Sequence, residues 1–407
     1  MDFSECFSSG PQFSGRILSD AEAMRDELIR WRRTIHRCPE LRMDTPVTER
    51  FLCEELAALG VDELRCGIGG HGVAAVIRGA LPGGCLAIRV DCDGLPIPEQ
   101  TGLPFAADNG CMHACGHDAH AAVGLGCAKL LLARRSVLRG SVKLIFQPFE
   151  EGDGGAKLML ADGVLENPHV DAVIGFHLGN LMGPQYETGD VVYTDQPDSA
   201  NIYAFRATFH GKNAHVCTPH EGIDAILMAC SAVMNLQEIM NRERRPDDSA
   251  TLSVSMINGG TRNNVIADTC TIEGSIRGFD TDRHREYCRR AREICEASAA
   301  MFRGSADFVS TIDLMATRID PALFRKFEAA AARLVPPEKL RRYTNVAPSG
   351  EDFARFADRV PAMHFFVCSR PADGPCYPHH HPKFDLDESV LPLSAALFTA
   401  FALSWQD

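Results

Sequence analysis

Long apolar runs are missing from this 407-residue sequence. No stretch reaches the roughly 18 consecutive apolar residues that a membrane-crossing helix needs. The opening MDFSECFSSGPQFSGRILSD has neither a basic start nor an apolar middle, so a secretory leader is not expected there. Positive charge is also short: 41 basic residues face 54 acidic ones, a net charge of −13. That excess argues against nucleic acid or an anionic membrane as partner, because both repel it. A small anionic substrate stays open, since a few local basic groups can hold one carboxylate. The 16 cysteines run from Cys6 to Cys376 without a single CxxC pair. A chain this long has no need of disulfide staples, so most thiols are read as reduced, buried and small, in a cytoplasmic protein. Internal repeats and low-complexity segments are absent as well.

What is present is ordinary globular composition, 45% apolar and 23% charged. The length predicts two domains. After an irregular start to about residue 17, helical spacing of Ala23, Leu28, Ile29, Trp31 and Ile35 predicts one helix from about Asp20 to Cys38. A second covers TERFLCEELAALG and ends at Gly60. GVAAVIRG, CLAIRVDCD, VKLIFQ and AVIGFHLG then read as buried strands, with an apolar helix from about Ala119 to Arg135 between them. Such alternation implies an α/β sheet. Near residue 200 the pattern becomes βαββαβ, the order of a ferredoxin-like unit. Its first helix, GIDAILMACSAVMNLQEIM, sets Ile223, Ile226, Leu227, Cys230, Val233 and Met234 on one side. Helix, strand (AMHFFVC) and closing helix then return to the first style. The expected architecture is an α/β domain of residues 1–198 and 313–407 with an α+β domain inserted at 199–312.

Chemistry-bearing side chains gather at the expected strand ends. In CMHACGHDAHAAVG, Cys115 and His117 stand two apart just before a helix. In an extended segment they project to one side, where both can face one metal. FQPFEEG follows a buried strand with Glu150 and Glu151. Adjacent residues point apart, so one carboxylate can bind a metal while the other faces its water. His177 ends AVIGFHLG, and PHHHPKFD offers His379, His380 or His381. The ends of parallel strands are where α/β sheets place their ligands. This N, O and S set suits zinc, manganese, cobalt or nickel rather than calcium. It suffices for two metals sharing a water.

These residues, with RRTIHRCPEL, IRVDCDGLPIPEQTGLPFAADNG, GKNAHVCTPHEGIDAI, NGGTRNNVIADTCTIEGSIR, SGEDFARF and HHPKFDLDE, occur in family order. The sequence resembles the metal-dependent amidohydrolases and carboxypeptidases that include hippurate hydrolase, bacterial aminoacylases and hydrolases of indole-acetyl-amino-acid conjugates. The resemblance spans about Arg32 to Leu403. It implies a zinc-exopeptidase-like catalytic domain and an inserted lid that also forms the interface of a homodimer or homotetramer. It implies two divalent metals held by Cys115, His117, Glu151, His177 and His380, with Glu150 as general base. His215 would steady the oxyanion from across the dimer, and Asn264 and Arg277 would take the substrate carboxylate. Asp91 and Asp118 would hold the metal-bound histidines from behind, while His113 and His120 line or pack the site. The implied substrates are N-acyl amino acids, with dipeptides or N-acetyl-diaminopimelate as the alternative. A non-catalytic binding protein is disfavoured because every matched position is filled. Two departures, Ala267 in NVIA and Asn213 in GKNAH, bear on substrate preference.

Overall fold

The computed structural model describes residues 11–152, 154–343 and 350–407. The chain forms two compact units. The larger takes the chain up to Asp198 and again from Arg318, and the smaller is Ser199–Thr317 with a short return at Glu351.

The larger unit is built on an eight-stranded sheet. Its four central strands, Arg139–Gln147, Leu81–Asp91, Ala172–Gly179 and Ala362–Cys368, are mutually parallel neighbours in that order. All four therefore end on one edge. Their near-continuous apolar runs reflect cover on both faces. The helix His117–Leu132 lies against one face with every residue buried except Lys129 and Leu132. Beside it the closing helix Leu391–Ser404 is apolar through its length and almost wholly buried. Phe176, Phe365 and Phe398 bind two strands to this closing helix, with ring centroids 4.8 to 5.6 Å apart. Each such pair contributes about 0.5–1.5 kcal/mol beyond burial, and together they fix the strand that carries His177.

The smaller unit has a four-stranded antiparallel sheet. In chain order its strands are Asn201–His210, Thr251–Gly259, Thr269–Gly278 and Ser305–Leu314, and in space the fourth pairs the first, the first the third, and the third the second. The helices Ala225–Glu238 and Thr281–Met301 complete the βαββαβ order.

Several expectations need correction. The helix Pro11–Ala23 occupies the start read as irregular, of which residues 1–10 lie outside the described chain. A break at Met24 separates it from Arg25–His36. Ala21, Leu28, Trp31 and Ile35 are buried on either side of that break, so apolar spacing runs through it without a mark. In Ala225–Glu238 the inward side is Ala225, Met228, Ala229, Ala232 and Leu236, whereas Leu227 and Met234 are 52% and 72% exposed. A helix apolar all round can bury only one stripe here, and the small residues allow the closest approach to the sheet. The edge strand Glu63–Ile68 and the short strands Val191–Tyr193 and Leu340–Arg342 escape pattern reading. Cys53 and Cys66 form a disulfide. No helix among the described residues is long and apolar enough to cross a membrane.

Candidate metal centre

The sheet edge gathers the chemistry. Leu81–Asp91 ends in Asp91 and continues to Asp93, both buried. The strand Arg139–Gln147 ends just before a sharp turn in which Phe149 takes a left-handed φ of 63°. That turn delivers Glu150 and Glu151. A Cβ at Gly154 would meet the Phe149 ring at 2.2 Å, so glycine behind the carboxylates is a packing requirement. At the end of the next strand, a Cβ on Gly179 (φ +123°) would meet the His379 ring at 2.2 Å. Glycine there lets the histidine run approach His177.

Cys115 is the point of convergence. Its Sγ lies 3.4 Å from Nε2 of His177 and 3.4 Å from Nδ1 of His379. Ligand-type atoms of Cys115, His117 and Glu151 lie within 4.8 Å of one another, and so do those of Cys115, His177 and His379. Burial, then the charges of Glu151, Glu150 and Asp91, push the Cys115 thiol well above its ordinary range. A cation among these groups is the counter-charge that such a concentration of buried acid requires.

Hydrogen bonds decide which histidines offer a lone pair. A backbone N–H can only donate and a carbonyl can only accept. His177 donates Nδ1–H to the carbonyl of Leu178 at 2.7 Å, which leaves Nε2 facing Cys115 as a free base. Burial first, then the neighbouring His120 and His379, hold its pKa well below the usual value, so it stays neutral. Nδ1 of His117 faces Asp93 at 3.1 Å, and its buried Nε2 has no hydrogen-bond partner. An orphaned ring nitrogen backed by a carboxylate is the arrangement of a metal-bound histidine. His120 and His379 are different. Each accepts a backbone N–H at Nε2, from Leu178 at 2.8 Å and Asn180 at 3.1 Å respectively. When neutral, each then carries its proton on Nδ1, toward Asp91 and the Cys115 sulfur. Neither retains a lone pair for a metal. Nε2 of His380 lies 3.1 Å from Oε1 of Glu151. His381 instead stacks on Tyr377 with centroids 4.5 Å apart. The donor set thus fits divalent metals of intermediate softness.

The flanking acids divide. Asp118, fully buried, accepts from Nε of Arg32 at 2.9 Å and Nδ1 of His36 at 2.8 Å, and touches no ligand-type histidine by hydrogen bond. Burial raises its pKa, but Arg32 and His36 outweigh this and hold it well below the carboxylate range. Asp91 faces His120, with the Nε2 of His117 3.7 Å away. Asp93 backs His117 and also accepts from the Glu151 amide at 3.3 Å. Sequence reading passed over Asp93, although the alternation Asp-Cys-Asp at a strand end puts both acids on one face. Glu150, half-buried, receives the Asp352 amide at 3.5 Å. His113 is buried beside His36, with ring centroids 6.1 Å apart.

In the smaller unit, His215 and Asn264 come together. His215 pairs with Val265 in a two-stranded ladder, and the Val216 amide donates to the Asn264 carbonyl. Both residues are exposed. Arg277 stands elsewhere, half-buried near the end of Thr269–Gly278 and paired in register with Ile202 and Thr251.

Residues 87–404 match the model of peptidase family M20/M25/M40. The chain is 34% identical to an N-acetylcysteine deacetylase of Bacillus subtilis, over 94% of this chain and 97% of that protein. It is 33% identical to thermostable carboxypeptidase 1 of Saccharolobus solfataricus, over 96% and 98%. A crystal structure from Bacillus subtilis, described as a dinuclear metal-binding peptidase of the M20 family, superposes with a TM-score of 0.79 at 32% identity. That match covers 94% of this chain and 98% of the other.

Proposed function

Because the chain belongs to peptidase family M20/M25/M40 and is a metal-dependent hydrolase of amide bonds, we propose that it cleaves N-acyl amino acids into a carboxylic acid and a free amino acid. Cys115, His117, Glu151, His177 and His380 hold two divalent cations, with Cys115 between the two halves. The observation that carries this is the convergence of two ring nitrogens, the unpartnered Nε2 of His117 and the Nε2 of His177, on one thiol beside Glu151. His379 donates to the thiol sulfur rather than binding metal. When bound, such a pair brings the pKa of a shared water near neutrality and polarises the scissile carbonyl. Glu150 takes the water's proton and delivers it to the leaving amine nitrogen. His215 steadies the oxyanion, and Asn264 and Arg277 receive the substrate carboxylate. Exposure of His215, in a short ladder, and of Asn264, just before its partner strand, supports a role toward a ligand rather than the core.

The active form is a homodimer through the smaller unit. The outward apolar face of Ala225–Glu238, with Leu227 and Met234, supports it. The cytoplasm is the proposed location, on the strength of many free thiols.

A second reading, cleavage of dipeptides or peptide C-termini, is favoured by similarity to the Saccharolobus carboxypeptidase. One experiment addresses substrate and roles together. Wild type, Glu150→Ala and Glu151→Ala are assayed on acetyl- and benzoyl-amino acids and on dipeptides, with metal content measured for each. Glu150→Ala should keep its metals and lose on the order of 10²–10⁴ in rate. Glu151→Ala should lose metal as well. The reverse metal pattern would exchange their roles. Cleavage of dipeptides alone would establish the second reading.

A further inference from the structure

His120 is fully buried, has no free ring nitrogen and is not a metal ligand in the assignment above. It nevertheless sits where the position of His177 is decided. The Leu178 amide donates to its Nε2 at 2.8 Å, and the carbonyl of that same residue accepts from Nδ1 of His177 at 2.7 Å. Leu178 is therefore gripped at both its polar atoms. One grip holds the backbone and the other fixes the His177 tautomer that turns Nε2 to Cys115. The His120 ring also stands edge-on to the His177 ring, with centroids 4.6 Å apart and planes at 85°.

His120 is itself held from behind. Its Nδ1 faces Oδ1 of Asp91, whose Oδ2 accepts from the Arg89 guanidinium at 2.7 Å. Arg89, with no exposed surface, also donates to Gln147 at 2.9 Å and Asp352 at 2.7 Å. A carboxylate clamped by a guanidinium keeps its charge and its orientation. Asp91 therefore selects the His120 tautomer that leaves Nε2 able to accept. With the opposite tautomer, a ring N–H would point at the Leu178 N–H.

We propose that His120 is a positioning residue: held by Asp91 and Arg89, it locks the Leu178 peptide so that His177 presents Nε2 to the metal. The proposal rests on the metal-centre reading above. It predicts that one half of the site, the half with His177, weakens when the His120 hydrogen bonds are removed.

The test uses the full-length chain with His120→Phe, which fills the space without either bond, and His120→Gln, whose amide can accept from Leu178 and donate to Asp91. Zinc is titrated against a chromophoric chelator, and metal per chain is counted after dialysis. The expected result is one ion weakened by about 10–100-fold in His120→Phe, the range for removing an outer hydrogen bond. His120→Gln should largely restore it, at equal thermal stability of the two variants. His120→Met is the second variant if phenylalanine does not fit. Both ions bound as in wild type by a folded His120→Phe or His120→Met protein would overturn the proposal. So would His120→Gln weakened as much as His120→Phe, since bulk alone would then explain the loss. A wild-type chain that takes up no zinc would instead sink the metal-centre reading beneath it.

Discussion

The residues proposed for the chemistry sit in opposite ways in the two units. In the larger, His117, His120, Asp91 and Asp118 are wholly buried, and each is tied to residues distant in sequence. In the smaller, His215 and Asn264 are exposed and held only by a short ladder and its turn. Buried polar groups must be fully partnered, because a lost partner leaves an uncompensated group in low dielectric. The larger unit's site is therefore inseparable from its stability. His215 and Asn264, exposed in the smaller unit, have no such structural duty.

The sharpest way to break this contrast is Arg32→Met. Arg32 is 2% exposed and contacts Asp118, Asp385 and Glu388. It joins the helix Arg25–His36 both to the start of His117–Leu132 and to the segment after the histidine run. Removing it takes the guanidinium from buried Asp118 and leaves that carboxylate with His36 as its hydrogen-bonded charge partner, which should cost about 3–5 kcal/mol in urea unfolding. A loss below about 1 kcal/mol would show that the network is not what holds these elements.

The next effect is a pH dependence. Burial lowers the His36 pKa, but Asp118, by charge and hydrogen bond, and Glu99 outweigh it and bring the imidazole from 6.5 up to about 9. A raised folded-state value means that the stabilisation is complete below pH 6.5 and disappears as pH rises through about 9. At about 1.4 kcal/mol per pH unit of difference, roughly 3 kcal/mol should be lost across that window. His36→Gln should remove this slope between pH 7 and 10, as read from unfolding free energies. An unchanged slope in that variant would assign the pH dependence to another group.

How much of this could be read beforehand depended on distance along the chain. Ala172–Gly179 and Ala362–Cys368 were legible because strands covered on both faces are continuous apolar runs. The end of Ala172–Gly179 explains why His177 stood out, and the end of Arg139–Gln147 explains why Glu150 and Glu151 did. The Asp118 partners were not legible, since Arg32 lies 86 positions away and only the packed helices bring the two together. Nor could sequence sort the histidines. His120 and His379 are separated from His177 by which nitrogen meets a backbone N–H, and that depends on the Leu178 and Asn180 peptides. The helix Ala225–Glu238 misled for a different reason. With apolar residues on both sides, periodicity alone cannot choose the buried stripe.

The smallest stability effect belongs to the smaller unit, and there the contrast is sharpened rather than broken. His215 lends its Nδ1 to the Cys217 amide at 3.1 Å and is otherwise exposed. His215→Ala should shift unfolding free energy by no more than about 0.5 kcal/mol, as substitutions on open surface do. It should still lower the hydrolysis rate by about 10²–10³, the loss expected when an oxyanion donor is removed. Metal content should be unchanged. Met234→Glu separates assembly from folding on the same unit. A charge on its exposed apolar face should yield monomers in sedimentation while leaving the fold intact. If His215 acts across the dimer, those monomers should be as slow as His215→Ala and just as well loaded with metal. Monomers of full activity would mean that His215 serves its own chain. Full activity in His215→Ala itself would remove the residue from the reaction and leave the larger unit to do all the chemistry.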